Sequence, residues 1–305
     1  MENFVFVIPA YNEEAMIGKA INSIYEYSGA ESEIIVIDNG SSDETVAIAK
    51  ELGASVYVQS EGTIGALRNY GVSKSEAENL VFIDADVTLT KDWESEICNT
   101  VIKLSSNPRL ITGSHCAPPE SNNFLLKYWF KSFADEADVS HLGTGHLIVQ
   151  KGFFDSLGGF NEGLSTGEDY EFCQRAVASG AAIVNNHKLK VYHHDFPKDL
   201  VGFMKREAWH GVGDLVSIKA MAGSKVFIAS IVFLALNILF LIGLYKEILL
   251  TVLSFVLMLV LCALSSFVKY RDSGFRYVLI NSFIFYFYYL GRVGSLWVKS
   301  KDLFK

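Results

Sequence analysis

The sequence predicts an α/β fold, a mainly parallel sheet flanked by helices, followed by C-terminal helices of a different, apolar kind. Three observations predict it. Short apolar runs alternate with helical periods through residues 4–86. Three of those runs end in polar clusters: Pro9-Ala10-Tyr11-Asn12-Glu13, Asp38-Asn39-Gly40-Ser41-Ser42-Asp43 and Asp84-Ala85-Asp86. Beyond residue 225 the chain holds long uncharged stretches.

Each element has its local signal. Phe4-Val5-Phe6-Val7-Ile8 is a continuous apolar run stopped by Pro9, the pattern of a buried strand. Glu13 to Tyr27 repeats apolar residues at Ile17, Ala20, Ile21 and Ile24, a helical period. Ile34-Ile35-Val36-Ile37 is a second strand closed by Asp38-Asn39-Gly40. Ser42 to Leu52 predicts a helix with Ser41 or Ser42 as its cap. Ser55 to Val58 is a third strand, Ile64 to Ser73 a third helix, and Leu80 to Ile83 a fourth strand running into Asp84-Ala85-Asp86. That rhythm builds a parallel sheet with helices on both faces, and ligands bind such sheets beyond the carboxyl ends of the strands. Residues 100–224 are less regular.

At 305 residues the chain has room for roughly two domains. Its net charge of −8 is unevenly spread. Residues 225–305 carry nine Lys/Arg against three Asp/Glu, a net of +6, so residues 1–224 carry −14. An acidic globular part argues against nucleic-acid binding, which needs a basic face. The four cysteines, Cys98, Cys116, Cys173 and Cys262, have no C-x-x-C spacing, so neither a zinc site nor a disulfide framework is expected, and a reducing compartment fits. Met1-Glu2-Asn3 has no basic character, and no signal peptide is expected.

Val226 to Leu244 and Ile248 to Val268 are uncharged and apolar, each long enough for a membrane span of about 20 residues. Only Tyr245, Lys246 and Glu247 separate them, so they predict a helical hairpin. Lys269, Arg271 and Arg276 in the following loop predict a cytoplasmic position for that loop, and for the residues preceding the hairpin. A further apolar run, Tyr277 to Leu290, precedes Arg292 and the basic tail with Lys299, Lys301 and Lys305. It is expected to be interfacial or re-entrant, with a third span as the alternative.

Several side chains carry chemistry. Asp84 and Asp86 at the mouth of a strand suit a hard divalent cation, Mg²⁺ or Mn²⁺, which takes one or two carboxylates plus phosphate oxygens. Asp38 can accept a hydrogen bond from a base N–H, or simply shape a strand-to-helix turn. Glu168 and Asp169 precede a helical stretch, where a carboxylate serves as a general base or merely favours the helix dipole. His193 and His194 follow a strand-like stretch; neighbours on a strand point oppositely, so at most one is a ligand.

In order and together, these segments resemble the family 2 glycosyltransferases of GT-A fold over about residues 4–215. Val7 to Glu14 is similar to the opening motif, which implies that Pro9, Ala10, Tyr11 and Glu13 lie against the nucleotide. Ile35 to Asp43 resembles the second motif, with Asn39 where a second aspartate is usual; Asp38 would contact the base. Gly65-Ala66-Leu67-Arg68-Asn69-Tyr70-Gly71 resembles the helix whose arginine faces the diphosphate, and Phe82 to Asp86 the metal motif, with Asp84, Ala85 and Asp86 against the donor. Gly143-Thr144-Gly145-His146 and Phe154 to Glu162 resemble the donor-sugar and acceptor region. Gly167-Glu168-Asp169 matches the Glu-Asp motif, and implies Asp169 as general base with Glu168 beside it. His193 would complete the metal site, with His194 in reserve.

The resemblance implies a nucleotide-sugar-binding half at 1–100, an acceptor-binding, catalytic half at 101–224 and a membrane anchor at 225–305. It implies an inverting transfer from a nucleotide sugar with Mg²⁺ or Mn²⁺. Lys205 to Gly211 does not match the Gln-x-x-Arg-Trp motif of processive synthases, so one sugar per encounter is expected. The anchor points to a membrane lipid or lipid-linked glycan as acceptor. The alternatives are a membrane scaffold with a degenerate sugar-nucleotide-binding domain, and a nucleotidyltransferase of the same fold. The intact Asp84/Asp86 and Glu168/Asp169 pairs argue against the first. The lack of an N-terminal basic, glycine-rich phosphate loop argues against the second.

Overall fold

The computed structural model describes residues 4–298, apart from residues 30, 120, 131–136 and 216; the start at Met1-Glu2-Asn3 and the tail lysines 299, 301 and 305 lie outside the described residues. The chain divides into two compact units, residues 1–120 with 132–195, and residues 121–131 with 196–305.

The first unit opens with β1 (Phe4–Ala10), α1 (Ile17–Ser28), β2 (Glu33–Asp38), α2 (Thr45–Glu51), β3 (Ser55–Val58), α3 (Ile64–Val72) and β4 (Asn79–Ile83). There follow β5 (Val87–Leu89), α4 (Lys91–Ser106), β6 (Leu110–Gly113) and, belonging to the second unit, α5 (Phe124–Tyr128). The first unit ends with β7 (Ala137–Asp138), β8 (His146–Gln150), α6 (Lys151–Ser156), α7 (Glu168–Ala178), β9 (Ala182–Asn185) and β10 (Val191–His193).

Eight strands form one sheet in the order β3-β2-β1-β4-β8-β6-β9-β7, and β10 pairs with β5 in a two-stranded ribbon. The β3-β2-β1-β4 half is parallel, as the strand–helix rhythm predicts. In the irregular half β8 runs antiparallel between β4 and β6, so the sheet is mixed. Alternation along β1 explains the two cores. Phe6 and Ile8 pack with Ile17, Ile21 and Ile24 of α1 and with Trp93 of α4. Val5 and Val7 pack with Leu67 of α3 and with Phe172 and Cys173 of α7. A strand buried on both faces reads as an unbroken apolar run, which is why β1 was visible in the sequence.

Two local expectations are corrected. Pro9 does not stop β1, which continues to Ala10. The β1–β4 pairing ends at Val7↔Phe82, so Pro9 keeps a strand neighbour only on the β2 side, in register with Ile37. Nor does Ser41 or Ser42 cap α2, which starts at Thr45. Those serines are used across the loops: Ser41 Oγ accepts from Asn12 N at 2.8 Å, and Ser42 N donates to Asn12 Oδ1 at 2.9 Å.

The second unit contains α5, α8 (Leu200–Val212), α9 (Ile218–Gly223), α10 (Lys225–Lys246), α11 (Ile248–Tyr270) and α12 (Phe275–Gly294). Asn123 caps α5 by accepting from Leu125 N and Leu126 N, and Ser224 caps α10 by accepting from Phe227 N. The core of this unit is aromatic, with Trp129 against Phe203, Tyr270, Phe285 and Tyr288. Two polar side chains pin the α5 segment by its backbone: Asn281 Nδ2 donates to Tyr128 O at 2.9 Å and Tyr270 OH to Trp129 O at 2.8 Å. Among the described residues, two helices are long and apolar enough to cross a membrane, Lys225–Lys246 and the run Ile248–Ser273, with mean hydropathies of 2.7 and 2.8. Most of their apolar residues are not packed inside the protein. The run expected to be interfacial or re-entrant lies in α12, which buries Asn281, Ile284, Phe285 and Tyr288.

Candidate active site

The loop after β1 and the loop after β2 are laced together at the carboxyl edge of the sheet. Besides the Asn12–Ser41 and Asn12–Ser42 bonds, Glu13 N donates to Thr45 Oγ1 at 2.7 Å and Asn39 N to Ala10 O at 2.8 Å. Pro9 and Ala10 are buried under this loop, whereas Tyr11 is 46% exposed. Asp38 is buried at the end of β2. Its Oδ2 accepts from Gly40 N and Ser41 N, both at 2.9 Å, while Oδ1 has no protein donor.

At the end of β4, Asp84, Ala85 and Asp86 follow directly. Arg68 of α3 is 1% exposed; it donates through Nη2 to Asp84 Oδ1 at 2.7 Å and through Nη1 to Glu168 Oε1 at 2.8 Å. The guanidinium thus stands behind the two carboxylates and fixes both. Burial pushes the Glu168 carboxyl up, against the pull of Arg68. Gly65, one turn earlier on α3, is a packing residue here: a Cβ would lie 3.3 Å from Phe160 Cβ and 3.5 Å from Glu168 Cβ.

Opposite this group, β10 brings His193 to Asp86, Nε2 to Oδ2 at 3.3 Å. His194 points away, its Nε2 2.9 Å from Thr88 Oγ1. The opposite facing of the two histidines is the one the strand period predicts. One ligand atom each from Asp84, Asp86 and His193 lie within 4.8 Å of one another. The two carboxylates suit a hard divalent cation such as Mn²⁺ or Mg²⁺, and the imidazole adds a nitrogen donor beside them. The electrostatics agree. Burial, then Asp84 and Asp195, push Asp86 up to about 7, and burial, then Asp86, Asp195 and Asp84, push Glu13 up to about 7. Carboxylates crowded this way repel one another until a cation or protons neutralise them.

One loop joins the cation group to the Glu-Asp pair. A Cβ on Gly145 would lie 3.2 Å from Asp84 Oδ2, and a Cβ on Gly143 would lie 3.5 Å from Asp169 Oδ2. These glycines stand two residues apart, a span of roughly 7 Å at most. Asp169 is half-exposed in the first turn of α7, its Oδ1 accepting from Tyr170 N. The structure therefore gathers Glu13, Arg68, Asp84, Asp86, Gly145, Glu168, Asp169 and His193 around one region. Sequence reasoning missed Asp195, whose charge acts on Glu13 and Asp86. The signal was the i, i+2 spacing from His193, which returns an extended chain to the same face.

A mainly parallel sheet with an Asp-x-Asp pair at its carboxyl edge, completed by a histidine, defines the GT-A class of nucleotide-sugar folds. Residues 5–105 match the family described as Glycosyl transferase family 2, and the chain carries a family 2 glycosyltransferase domain. Glycosyltransferase AglE of Haloferax volcanii is 26% identical over 195 residues, 59% of this chain and 63% of that protein. O-antigen chain rhamnosyltransferase RfbN of Salmonella typhimurium is 25% identical over 206 residues, 61% of this chain and 65% of that protein. The matches thus span less than two thirds of either relative. Mannosyltransferase PcManGT from Pyrobaculum calidifontis, solved with GDP-Man and Mn²⁺, shares the fold with a TM-score of 0.61 at 16% identity, over 97% of this chain and 87% of that one.

Proposed function

We propose that this chain transfers a single sugar from a nucleoside-diphosphate sugar to a membrane-associated acceptor, a lipid-linked or cell-envelope glycan, by one inverting displacement that depends on Mg²⁺ or Mn²⁺. The observation that carries the reading is the convergence of Asp84, Asp86 and His193 within 4.8 Å at the edge of a family 2 domain. The apolar hairpin supports the membrane-associated acceptor. The basic loop of Lys269, Arg271 and Arg276 supports a multi-pass anchor with the sheet unit on the cytoplasmic side.

Asp84, Asp86 and His193 would hold the divalent cation, which when bound offsets the charge that develops on a leaving diphosphate. The chain's own residues do the rest. Asp38 accepts from the base through the oxygen that lacks a protein donor. Pro9, Ala10, Tyr11 and Glu13 line the nucleotide. Arg68 keeps Asp84 and Glu168 in place and supplies a fixed positive charge behind them. Asp169 takes the proton from the acceptor hydroxyl as its oxygen attacks the anomeric carbon from the face opposite the diphosphate. Its partial exposure leaves it reachable by an acceptor, and Gly143 keeps side-chain bulk away from it.

The test is hydrolysis and transfer from a panel of UDP-, GDP- and dTDP-sugars by the detergent-solubilised chain with Mn²⁺, Mg²⁺ or EDTA, beside Asp86→Ala. Release of a nucleoside diphosphate from one donor, lost in EDTA and in the variant, is the expected outcome. Turnover indifferent to both would remove the cation assignment. Stoichiometric donor binding with no turnover, even with lipid-linked acceptors supplied, would favour the non-catalytic scaffold.

A further inference from the structure

His146 opens β8 and is fully buried. Its motif was expected near the donor sugar, yet the ring turns into the core. Nε2 lies 3.0 Å from Trp93 Nε1; Nδ1 lies 3.1 Å from Ser114 N and 3.0 Å from Ser114 Oγ; and Ser114 Oγ lies 2.7 Å from Leu189 O. Trp93 Nε1–H and Ser114 N–H each point at a ring nitrogen, and a neutral imidazole has one acceptor nitrogen, so either tautomer serves only one of the two donors. An indole N–H and a backbone N–H can only donate, so neither can receive a ring proton. Ser114 Oγ gives its hydrogen to Leu189 O; it accepts from Nδ1–H in the tautomer whose Nε2 accepts from Trp93, and in the other tautomer Nδ1 accepts from Ser114 N. The ring is neutral, and burial, which pushes it down to about 3, keeps it so. Sealed and neutral, it neither touches a donor nor takes a proton from an acceptor.

What the ring does is hold backbone on both sides of the cation group. His146 follows Gly145, whose bare Cα abuts Asp84, and it pairs with Ile83, the residue before Asp84. At the other end of the relay, Leu189 leads into β10, which ends at His193; the same approach is secured by Thr90 Oγ1 donating to Lys190 O at 2.7 Å. Trp93 of α4 forms the back wall. We infer that His146, with Trp93 and Ser114, is a positioning element that sets the spacing between the two arms of the cation site, Asp84/Asp86 and His193, without touching any ligand. The inference rests on the cation reading proposed above.

The experiment is direct Mn²⁺ binding to the full chain in detergent, with GDP or UDP present, read from the loss of the free-Mn²⁺ electron paramagnetic signal. His146→Phe fills much of the space but removes both ring nitrogens. Its Mn²⁺ Kd should rise about tenfold, the low end for outer-shell replacements, while nucleotide binding in EDTA stays unchanged. Ser114→Ala removes the hydroxyl that stands between His146 Nδ1 and Leu189 O but leaves the ring in place, and should raise the Kd by a smaller factor. Trp93→Phe added to His146→Phe should add little, because both act through one relay. A folded His146→Phe whose Mn²⁺ Kd equals wild type overturns the inference, even if its Tm falls, since the ring would then serve packing alone. If His146→Phe does not fold, an unchanged Kd in Ser114→Ala overturns it. A wild-type chain that binds no Mn²⁺ removes the cation reading and this inference with it, whereas binding in wild type and in every variant alike removes the inference alone.

Discussion

Two arginines in this chain each hold two carboxylates, in different units. In the sheet unit Arg68 reaches Asp84 at 2.7 Å and Glu168 at 2.8 Å. In the helical unit Arg292 reaches Glu207 at 3.2 Å and Asp214 at 3.4 Å. As ion pairs the two groups look alike; their surroundings differ. Around Arg68 stand further carboxylates, Asp86, Glu13 and Asp195; burial first and then their mutual repulsion push Asp86 and Glu13 up to about 7. Around Arg292 the neighbours are cations: Arg206 and Lys269 join Arg292 in drawing Glu207 down against its burial. A buried ion pair is weak evidence for anything but local order. Excess like charge at the edge of a sheet is the better sign of a binding site, because stability alone gives no reason to keep it.

The sharpest way to break that contrast is at Asp169. Asp169→Asn keeps the shape of the α7 turn and removes the base. Transfer should fall by about 10³-fold, within the usual range for losing a general base, while donor affinity by calorimetry stays at the wild-type value. Near-normal turnover would take the base role from Asp169.

Next in size are the two arginines themselves. Arg68→Met leaves Asp84 and Glu168 without their partner in a buried setting, a loss of about 3–5 kcal/mol. Turnover should also vanish in whatever remains folded. Arg292→Met breaks longer contacts to a partly exposed Asp214 and should cost about 1–3 kcal/mol, with specific activity per folded molecule unchanged. Chemical unfolding and turnover measured on the same samples separate the two effects. Equal loss of turnover in both variants would show that the two networks do not divide into site and scaffold as the charge balance implies.

The sheet half nearest the N-terminus was legible because its strands are buried on both faces and end in polar clusters, so Ile8, Ile37 and Ile83 each mark where chemistry begins. The mixed half was not. The antiparallel insertion of β8 between β4 and β6 depends on contacts far apart in sequence, such as Ile83↔His146, which no local period reveals. Site residues were legible by type and order, and the choice of His193 over His194 was left open because a period of two cannot say which side faces the site. The burial of Arg68 and His146 was hidden for a related reason. A charged or polar residue on an amphipathic pattern reads as solvent-facing until its partners, here Asp84 and Glu168 or Trp93 and Ser114, are known. Asp195 lay past the end of β10, where only its i, i+2 spacing from His193 pointed to the site.

The smallest effect tests the balanced network. Burial holds the Glu207 carboxyl above its ordinary 4.5 in spite of Arg292, Arg206 and Lys269. An acid with a raised folded pKa binds its proton more tightly folded than unfolded. Its stabilising contribution is therefore complete below about 4.5 and is lost as pH rises through the folded value. Glu207→Gln has no proton to lose at that position. The stability of the variant minus that of wild type should thus increase as pH rises from about 4.5, then level off once Glu207 is ionised. Thermal melts of both proteins in matched buffers from pH 4 to 7 measure that difference directly, with other carboxylates cancelling. A difference that falls over the same interval would mean the ionised carboxylate is the favoured form. Glu207 and Arg292 would then stabilise the helical unit as a pair, and the cations around them would be more than compensation for burial.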